Sequence, residues 1–257
     1  MLFAIDMGNT TITLGCLHQD DLVFMERLST NTAKSELEYA IDFKNLFELH
    51  GISVSEIKGC ALSSVVPQLT DTICQAVKKV TGLAAMVVGP GVKTGLHITT
   101  DNPAQLGSDL VVDAVAALKE YKPPLTVIDM GTATTFSVID AKGRYIGSVI
   151  LPGPKTALDS LITRTAQLPR IAFEAPRSVI GSNSIDSMKS GLIFGNAACI
   201  DGLLERVEEQ IGRPMTVIAT GGCAEAILPH CKKKIIYDPA LLLKGLRVLF
   251  LKNTEEK

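Results

Sequence analysis

Charge of neither sign is in excess along the 257 residues: 25 Lys and Arg against 27 Asp and Glu leave a net charge of −2. A field that small steers nothing to nucleic acid or anionic lipid, so no nucleic-acid or membrane partner is expected. No apolar run reaches the roughly 18 residues of a membrane span. The opening segment MLFAIDMGNT has no basic stretch before its apolar residues, so a secretory signal is not expected and a cytoplasmic location is. The six cysteines include no CxxC pair. His230 beside Cys231 is the nearest approach to a metal pair, and buried free thiols of a reducing compartment account for the set. Neither a Walker A loop nor a dinucleotide fingerprint occurs, which excludes P-loop and Rossmann enzymes.

What is present is a chain apolar enough to fold, with 46% hydrophobic and 20% charged residues. Its length suits one large domain or two lobes of roughly 120 residues each. An internal echo favours two. Residues 2–12 read LFAIDMGNTTI and residues 125–135 read LTVIDMGTATT, an offset of 125 − 2 = 123 residues. Both are short apolar strands entering Ile-Asp-Met-Gly and leaving through a Thr-rich strand, so two lobes of related topology are expected over 1–122 and 123–257.

The pattern predicts strands at 2–7, 11–17, 22–28 and 59–64, with another at Val87-Val88 before the Gly89-Pro90-Gly91 break. Helices are predicted over 35–49, after Pro67 and over 104–121, from apolar spacing and from Pro and Gly at the ends. The second half repeats the order. Strands are expected at 125–129, 133–139 and 144–151, and helices near 155–166 and over the long stretch 184–211. A strand at 215–219, a strand at 234–237 and a helix from Pro239 follow. The fold expected is α/β, two-lobed, with a nucleotide cleft between the lobes.

Three turns carry the chemistry. In Asp6-Met7-Gly8-Asn9-Thr10-Thr11, a tight turn between strands offers backbone N–H groups and short hydroxyl and amide donors to an anion. Asp6 at the strand end can hold a divalent cation or its waters. An ordinary β-hairpin is the competing reading of this turn. Asp129 to Thr135 repeats the device, and two such loops could grip a polyphosphate whose charge must be neutralised during transfer. Ala219-Thr220-Gly221-Gly222 follows a strand and opens a helix, where missing side chains would admit an adenosine.

The ordered set DMGNTTI (6–12), LSSVVP (62–67), DNPAQLGSDL (101–110), DMGTATT (129–135), GSVILPG (147–153), TAQLP (165–169) and SNS (182–184) resembles the type III pantothenate kinases. These belong to the acetate-kinase, sugar-kinase, heat-shock and actin superfamily. The resemblance implies two actin-like, ribonuclease H-like lobes. It also implies phosphorylation of pantothenate by ATP, a need for Mg²⁺ and a monovalent cation (K⁺ or NH₄⁺), and a homodimer. It assigns Asp6, Met7, Gly8, Asn9, Thr10, Thr11, Ile12 and Thr13 to the first phosphate loop, with Mg²⁺ at Asp6. Thr132 would touch the nucleotide, Gly221 and Gly222 would lie at the adenosine, and Asp129 would sit at the monovalent cation. Gly107, Ser108, Asp109, Leu110 and Ser184 would line the pantothenate pocket, with Asp109 as the base that accepts the hydroxyl proton. On its own, Asp109 is also explained as an acid near a helix N-terminus.

The chain departs from the family pattern at several points. Leu110 replaces the Arg of G-x-D-R, a loss of about 1.5–3 kcal/mol for a charge-assisted contact; Arg164, Arg170 and Arg177 are the candidates to compensate. Ser184 stands for a Thr and keeps its hydroxyl. Ser137 stands for an Asp, removing a carboxylate expected near the cation. Ser148 stands for a glycine in what is expected to be a turn. Three readings follow: a pantothenate kinase with a rearranged pocket, a non-catalytic nucleotide-binding or regulatory paralogue, and a kinase for another small alcohol. In the long helix, Met188, Leu192, Ile193, Ala197, Ile200, Leu203, Leu204 and Val207 supply apolar surface for a dimer seam or for a buried helix.

Overall fold

A computed structural model describes residues 1–254. In chain order the elements are β1 (Leu2–Met7), β2 (Thr11–His18), β3 (Asp21–Ser29), α1 (Glu36–Leu49), β4 (Gly59–Ser64), α2 (Pro67–Thr81), β5 (Met86–Val87), β6 (His97–Ile98) and α3 (Ser108–Glu120). The second half holds β7 (Leu125–Met130), β8 (Ala133–Ile139), β9 (Arg144–Pro152), α4 (Pro154–Thr163), α5 (Ser184–Ser190), α6 (Asn196–Ile211), β10 (Thr216–Thr220), α7 (Ala224–Ile227), β11 (Ile236–Tyr237) and α8 (Leu241–Thr254).

Local sequence accounts for most of these ends. Ser35 starts α1 with a capping box: its backbone N–H donates to Glu38 Oε2 at 2.8 Å and its Oγ accepts from the Glu38 N–H at 3.4 Å. Pro67 opens α2, and Gly82 closes it at φ +73°, a conformation that favours glycine. Gly212 ends α6 in the same way at φ +77°. Elsewhere the structure departs from the expectations. α3 begins at Ser108 rather than 104, because Pro103–Gln105 form a separate 3₁₀ turn. The stretch 184–211 is interrupted by a π turn at Gly191–Gly195, bounded by two glycines with little intrinsic helical preference. Ser148 lies within β9, opposite Ser137 on β8, so there is no turn for it to narrow. Of the cysteines, Cys16, Cys60 and Cys223 are buried, but Cys199 is exposed on α6. Burial pushes the Cys16 thiol up to about 12 and that of Cys60 to about 11.

The chain forms two compact units. The first comprises residues 1–96, 101–119 and the segment from Ala240 onward; the second comprises 97–100 and 120–239. The first unit carries a sheet in the order β3-β2-β1-β4-β5. β1 is antiparallel to β2 and parallel to β4. Phe3 on β1 meets Phe43 and Phe47 of α1 edge-on, at ring-centroid distances of 5.4 and 4.9 Å. The other face of β1 and β4 packs, through Ala4 and Ala61, with Val112 and Val115 of α3 and Leu243, Leu246 and Leu249 of α8. The second unit has a sheet in the order β11-β10-β7-β8-β9-β6. β7 repeats the neighbours of β1, antiparallel to β8 and parallel to β10. Ile128, Met130 and Phe136 bury there against Ile193, Ala197, Ile200 and Leu204.

α8 groups with the first unit although a division at 122 would leave it with the second. Glycine makes its seat: a Cβ on Gly15 would stand 2.5 Å from Leu243 Cδ1, and one on Gly59 would strike the Phe250 ring. At Gly245 an added Cβ would collide with the Val112 carbonyl oxygen, so α8 and α3 approach this closely because the glycine leaves that space to the carbonyl. Gly245→Ala is therefore expected to destabilise the protein by about 1–3 kcal/mol, the usual cost of overpacking. A lowered denaturant midpoint with an unchanged slope would show it.

Candidate active site

In both units the parallel strands run out at one edge of the sheet, and in such sheets ligands bind beyond the carboxyl ends. In the first unit that edge collects the ends of β1 and β4 and the start of α3. Asp6 is half-buried and paired in register with Thr13 on β2 and Ser63 on β4. The turn after it is closed by the Gly8 N–H donating to the Thr11 carbonyl at 3.0 Å. Thr30 supports the turn from β3's end, its Oγ1 donating to the Gly8 carbonyl at 2.7 Å and its N–H to the Thr10 carbonyl at 3.0 Å. Asn9 and Thr10 are exposed, and Thr11 and Thr13 are half-buried. Met7 and Ile12 are fully buried in the core, so only their backbone is available to a ligand.

The start of α3 is fastened to the same edge. Ser108 Oγ lies 3.1 Å from Ser63 Oγ and donates to the Ser64 carbonyl at 3.1 Å. The sequence reading placed Ser108 on substrate; its hydroxyl is turned to β4. Asp109 follows, half-buried, with Oδ1 accepting from the Leu110 N–H at 2.9 Å. Burial raises the Asp109 carboxyl above the usual aspartate range, against the lowering effect of that hydrogen bond. Gly107 leaves the room: a Cβ there would collide with Asp109 Oδ1. Leu110 is buried at 8% exposure, so little of its side chain is open to a ligand.

The second unit repeats the edge with one change. Asp129 is half-buried and paired with Thr135 on β8 and Thr220 on β10. Asp6 and Thr13 are 13 − 6 = 7 residues apart, whereas Asp129 and Thr135 are 135 − 129 = 6 apart. The second turn is thus one residue shorter, and Thr135 rather than Phe136 is the counterpart of Thr13. Thr135 Oγ1 is buried without a hydrogen-bond partner. On the sequence alone Thr135 ends the 129–135 loop without a role of its own, because the ungapped echo sets it against Ile12. Thr132 is exposed at the turn, its carbonyl accepting from the Gly153 N–H at 3.0 Å and Thr156 Oγ1 at 2.7 Å. Gly221 has φ +95°, and a Cβ on it would meet the Met130 nitrogen at 2.5 Å and Asp129 Oδ1 at 2.6 Å. Its missing side chain therefore serves the contact between β10 and β7; Gly222 beside it is exposed.

Ser137 is buried and its Oγ lies 3.2 Å from the Tyr145 hydroxyl, so the position of the expected carboxylate is closed by a neutral pair. Ser184 is exposed at the start of α5, where the Asn183 side chain caps the helix by accepting from the Asp186 N–H at 2.9 Å. It lines a cavity of about 630 Å³ together with Leu158, Leu161, Leu168, Met188, Leu192 and Asn196. Asp6 and the 107–110 segment are thus brought together in one unit, and Asp129, Thr132 and Gly221 in the other. Among the described residues no three His, Cys, Asp or Glu side chains cluster as a metal cage.

The raised Asp109 carboxyl has a stability consequence. A folded-state pKa above the unfolded value means the ionised form opposes folding. That penalty is absent below the ordinary aspartate range, near pH 4, and grows as pH rises through the raised value. Asp109→Asn keeps the Oδ1 acceptor and removes the charge. Its melting temperature is expected to exceed that of the unaltered protein at pH 7, with the gap closing towards pH 4, in thermal melts across that range.

Comparison with known proteins gives the same reading from a separate direction. The family model described as type III pantothenate kinase matches residues 2–206. That span contains Asp6, Asp109, Asp129 and Ser184 but stops short of Gly221. Type III pantothenate kinases of Halalkalibacterium halodurans and an Exiguobacterium species are 41% and 42% identical over 253 residues. Each alignment covers 98% of this chain, and 100% and 99% of the relatives. Among solved structures, the activator of the 2-hydroxyisocaproyl-CoA dehydratase from Clostridium difficile is 13% identical at a TM-score of 0.57, covering 99% of this chain and 96% of that one. Component A of the Acidaminococcus fermentans (R)-2-hydroxyglutaryl-CoA dehydratase is 15% identical at 0.57, covering 100% and 99%. At such identities the likeness shows the fold, two related α/β units of the actin-like type. Matched along most of its length and over 40% identical to near-full-length relatives, the chain belongs to the type III pantothenate kinase family.

Proposed function

We propose that the chain transfers the γ-phosphoryl group of ATP to the primary hydroxyl of pantothenate, giving 4′-phosphopantothenate at the first step of coenzyme A synthesis. Asp109 carries the reading: a half-buried carboxylate of raised pKa, next in the chain to the Ser108 that fastens α3 to the end of β4, the strand paired with β1. Its carboxylate orients the substrate hydroxyl and takes its proton. The hydroxyl oxygen bonds to the γ-phosphorus as the bond to the ADP oxygen breaks, in line and without a phosphoenzyme. In a loose transition state the orienting part counts as much as the proton transfer.

The loop 6–13 and the loop 129–135 serve the ATP phosphates, with Thr132 at the nucleotide and Gly221 and Gly222 beneath the adenosine. Asp6 would hold Mg²⁺, which enters with the phosphates and neutralises their charge. Asp129 would hold K⁺ or NH₄⁺, and the unpartnered Thr135 hydroxyl opposite it fits that role as a second oxygen donor. Gly107 and Ser184 serve pantothenate. The exposed apolar side chains Leu161, Val179, Ile180 and Ile185 in the second unit support a homodimer, and the reaction suits the cytoplasm.

The deciding experiment is ATP-dependent phosphorylation of pantothenate by the purified protein with Mg²⁺, with and without K⁺ or NH₄⁺. Turnover is expected, lower when the monovalent cation is omitted. Asp109→Asn should lower kcat by about 10²–10⁴-fold while sparing ATP binding. The acid limb of the pH–rate profile should lie above the ordinary aspartate range, because activity is lost as pH falls through the raised value. ATP binding without pantothenate turnover would move the reading to another small alcohol or to a non-catalytic nucleotide-binding role. Light scattering should give twice the chain mass; a monomer at assay concentrations would remove the dimer.

A further inference from the structure

We infer that the Ser63–Ser108 hydroxyl pair is a positioning device for Asp109, holding the first turn of α3 on the end of β4. The inference rests on the reading of Asp109 as the group that handles the substrate hydroxyl. Ser63 is fully buried, and a buried hydroxyl needs a partner. Ser108 Oγ donates its one proton to the Ser64 carbonyl, so at 3.1 Å it must accept the proton of Ser63. The hydroxyl thereby joins the side chain of one β4 residue to the backbone of the next.

The anchor on the other side is itself braced. Ser64 Oγ accepts from the Val66 N–H at 3.2 Å and lies 2.8 Å from Thr70 Oγ1, which donates to the Val66 carbonyl at 3.3 Å. The end of β4 and the start of α2 thus form one hydroxyl-linked corner to which Ser108 ties α3. No side chain precedes α3 to cap it, since Gly107 occupies that place. The main-chain bond that closes this first turn, from the Val111 N–H to the Gly107 carbonyl, is 3.3 Å long. Gly107 supplies the space, Ser108 the tether and Asp109 the carboxylate. Without the tether the helix start can shift, and displacements near 1 Å are enough to lower rates strongly.

The test is Ser108→Ala, Ser63→Ala and the double variant in steady-state kinetics and thermal melts, with Asp109→Asn alongside. Ser108→Ala should lower kcat about tenfold with the KM for ATP unchanged, and should lower the melting temperature by leaving Ser63 without its acceptor. Removing both hydroxyls removes the orphaned group, so Ser63→Ala/Ser108→Ala should regain most of the lost melting temperature. Its kcat should stay low, which a merely structural role would not produce. Recovery of kcat together with stability, or a Ser108→Ala variant with unaltered kcat, overturns the positioning role. If Asp109→Asn retains turnover, the reading of Asp109 fails and the inference with it. An inactive Asp109→Asn beside an unaltered Ser108→Ala overturns this inference alone.

Discussion

The central strand of each unit is buried for four residues and then meets an aspartate. β1 and β7 share one burial pattern, with Asp6 and Asp129 as the half-buried position between fully buried neighbours. A carboxylate deep in the sheet would be prohibitively costly, and at the strand end it stays accessible at modest expense. Each strand also has an antiparallel partner on one side and a parallel one on the other. The hairpin turn and the end of the parallel neighbour therefore arrive at the same edge as the aspartate. Asp6, Asp109, Asp129 and the two turns gather along these edges because this is where main-chain donors and acidic groups can be left without a cost in core packing, whereas Ser184 stands apart at the start of α5.

Glycine governs how closely the elements meet there. Gly221 lets β10's end touch the Asp129 carboxylate, and Gly153 lets the start of α4 rest on the carbonyls of Gly131 and Thr132. Gly107 lets the Asp109 carboxylate fold back over the chain. These glycines sit beside the functional groups, yet their empty Cβ positions are filled by protein atoms. The space is used for close packing that fixes the acidic groups in place.

Asp109 shows the tension between the two demands. Its partial burial raises the carboxyl and makes it a better proton acceptor near neutrality, while the same burial weighs against the folded state. The surrounding contacts offset this locally, with a hydrogen bond from the next N–H and a helix start tied to a neighbouring strand. The second unit holds its acid differently. Asp129 faces Thr135 across a turn shortened by one residue, and further along β8 the buried Ser137 hydroxyl meets the Tyr145 hydroxyl of β9, a neutral pair.

The sequence alone determined what depends on local periodicity and turn chemistry. The strands of both hairpins, the helix over 35–49, the proline start of α2 at Pro67, the end of the stretch 184–211 and the internal echo were all legible, because each is written within a few residues. The family resemblance likewise singled out Asp6, Asp109 and Asp129 from their short motifs. Tertiary structure alone decided the choice of partners. Only folding could assign α8 to the first unit, pair the two-residue β6 with β9, or insert a π turn into the helical stretch 184–211. It also turned the Ser108 hydroxyl to β4, buried Leu110 and set Ser148 within a strand. Each of these depends on atoms far away in the chain, and an amino acid's identity says what it can bond to, not which distant group will arrive to meet it.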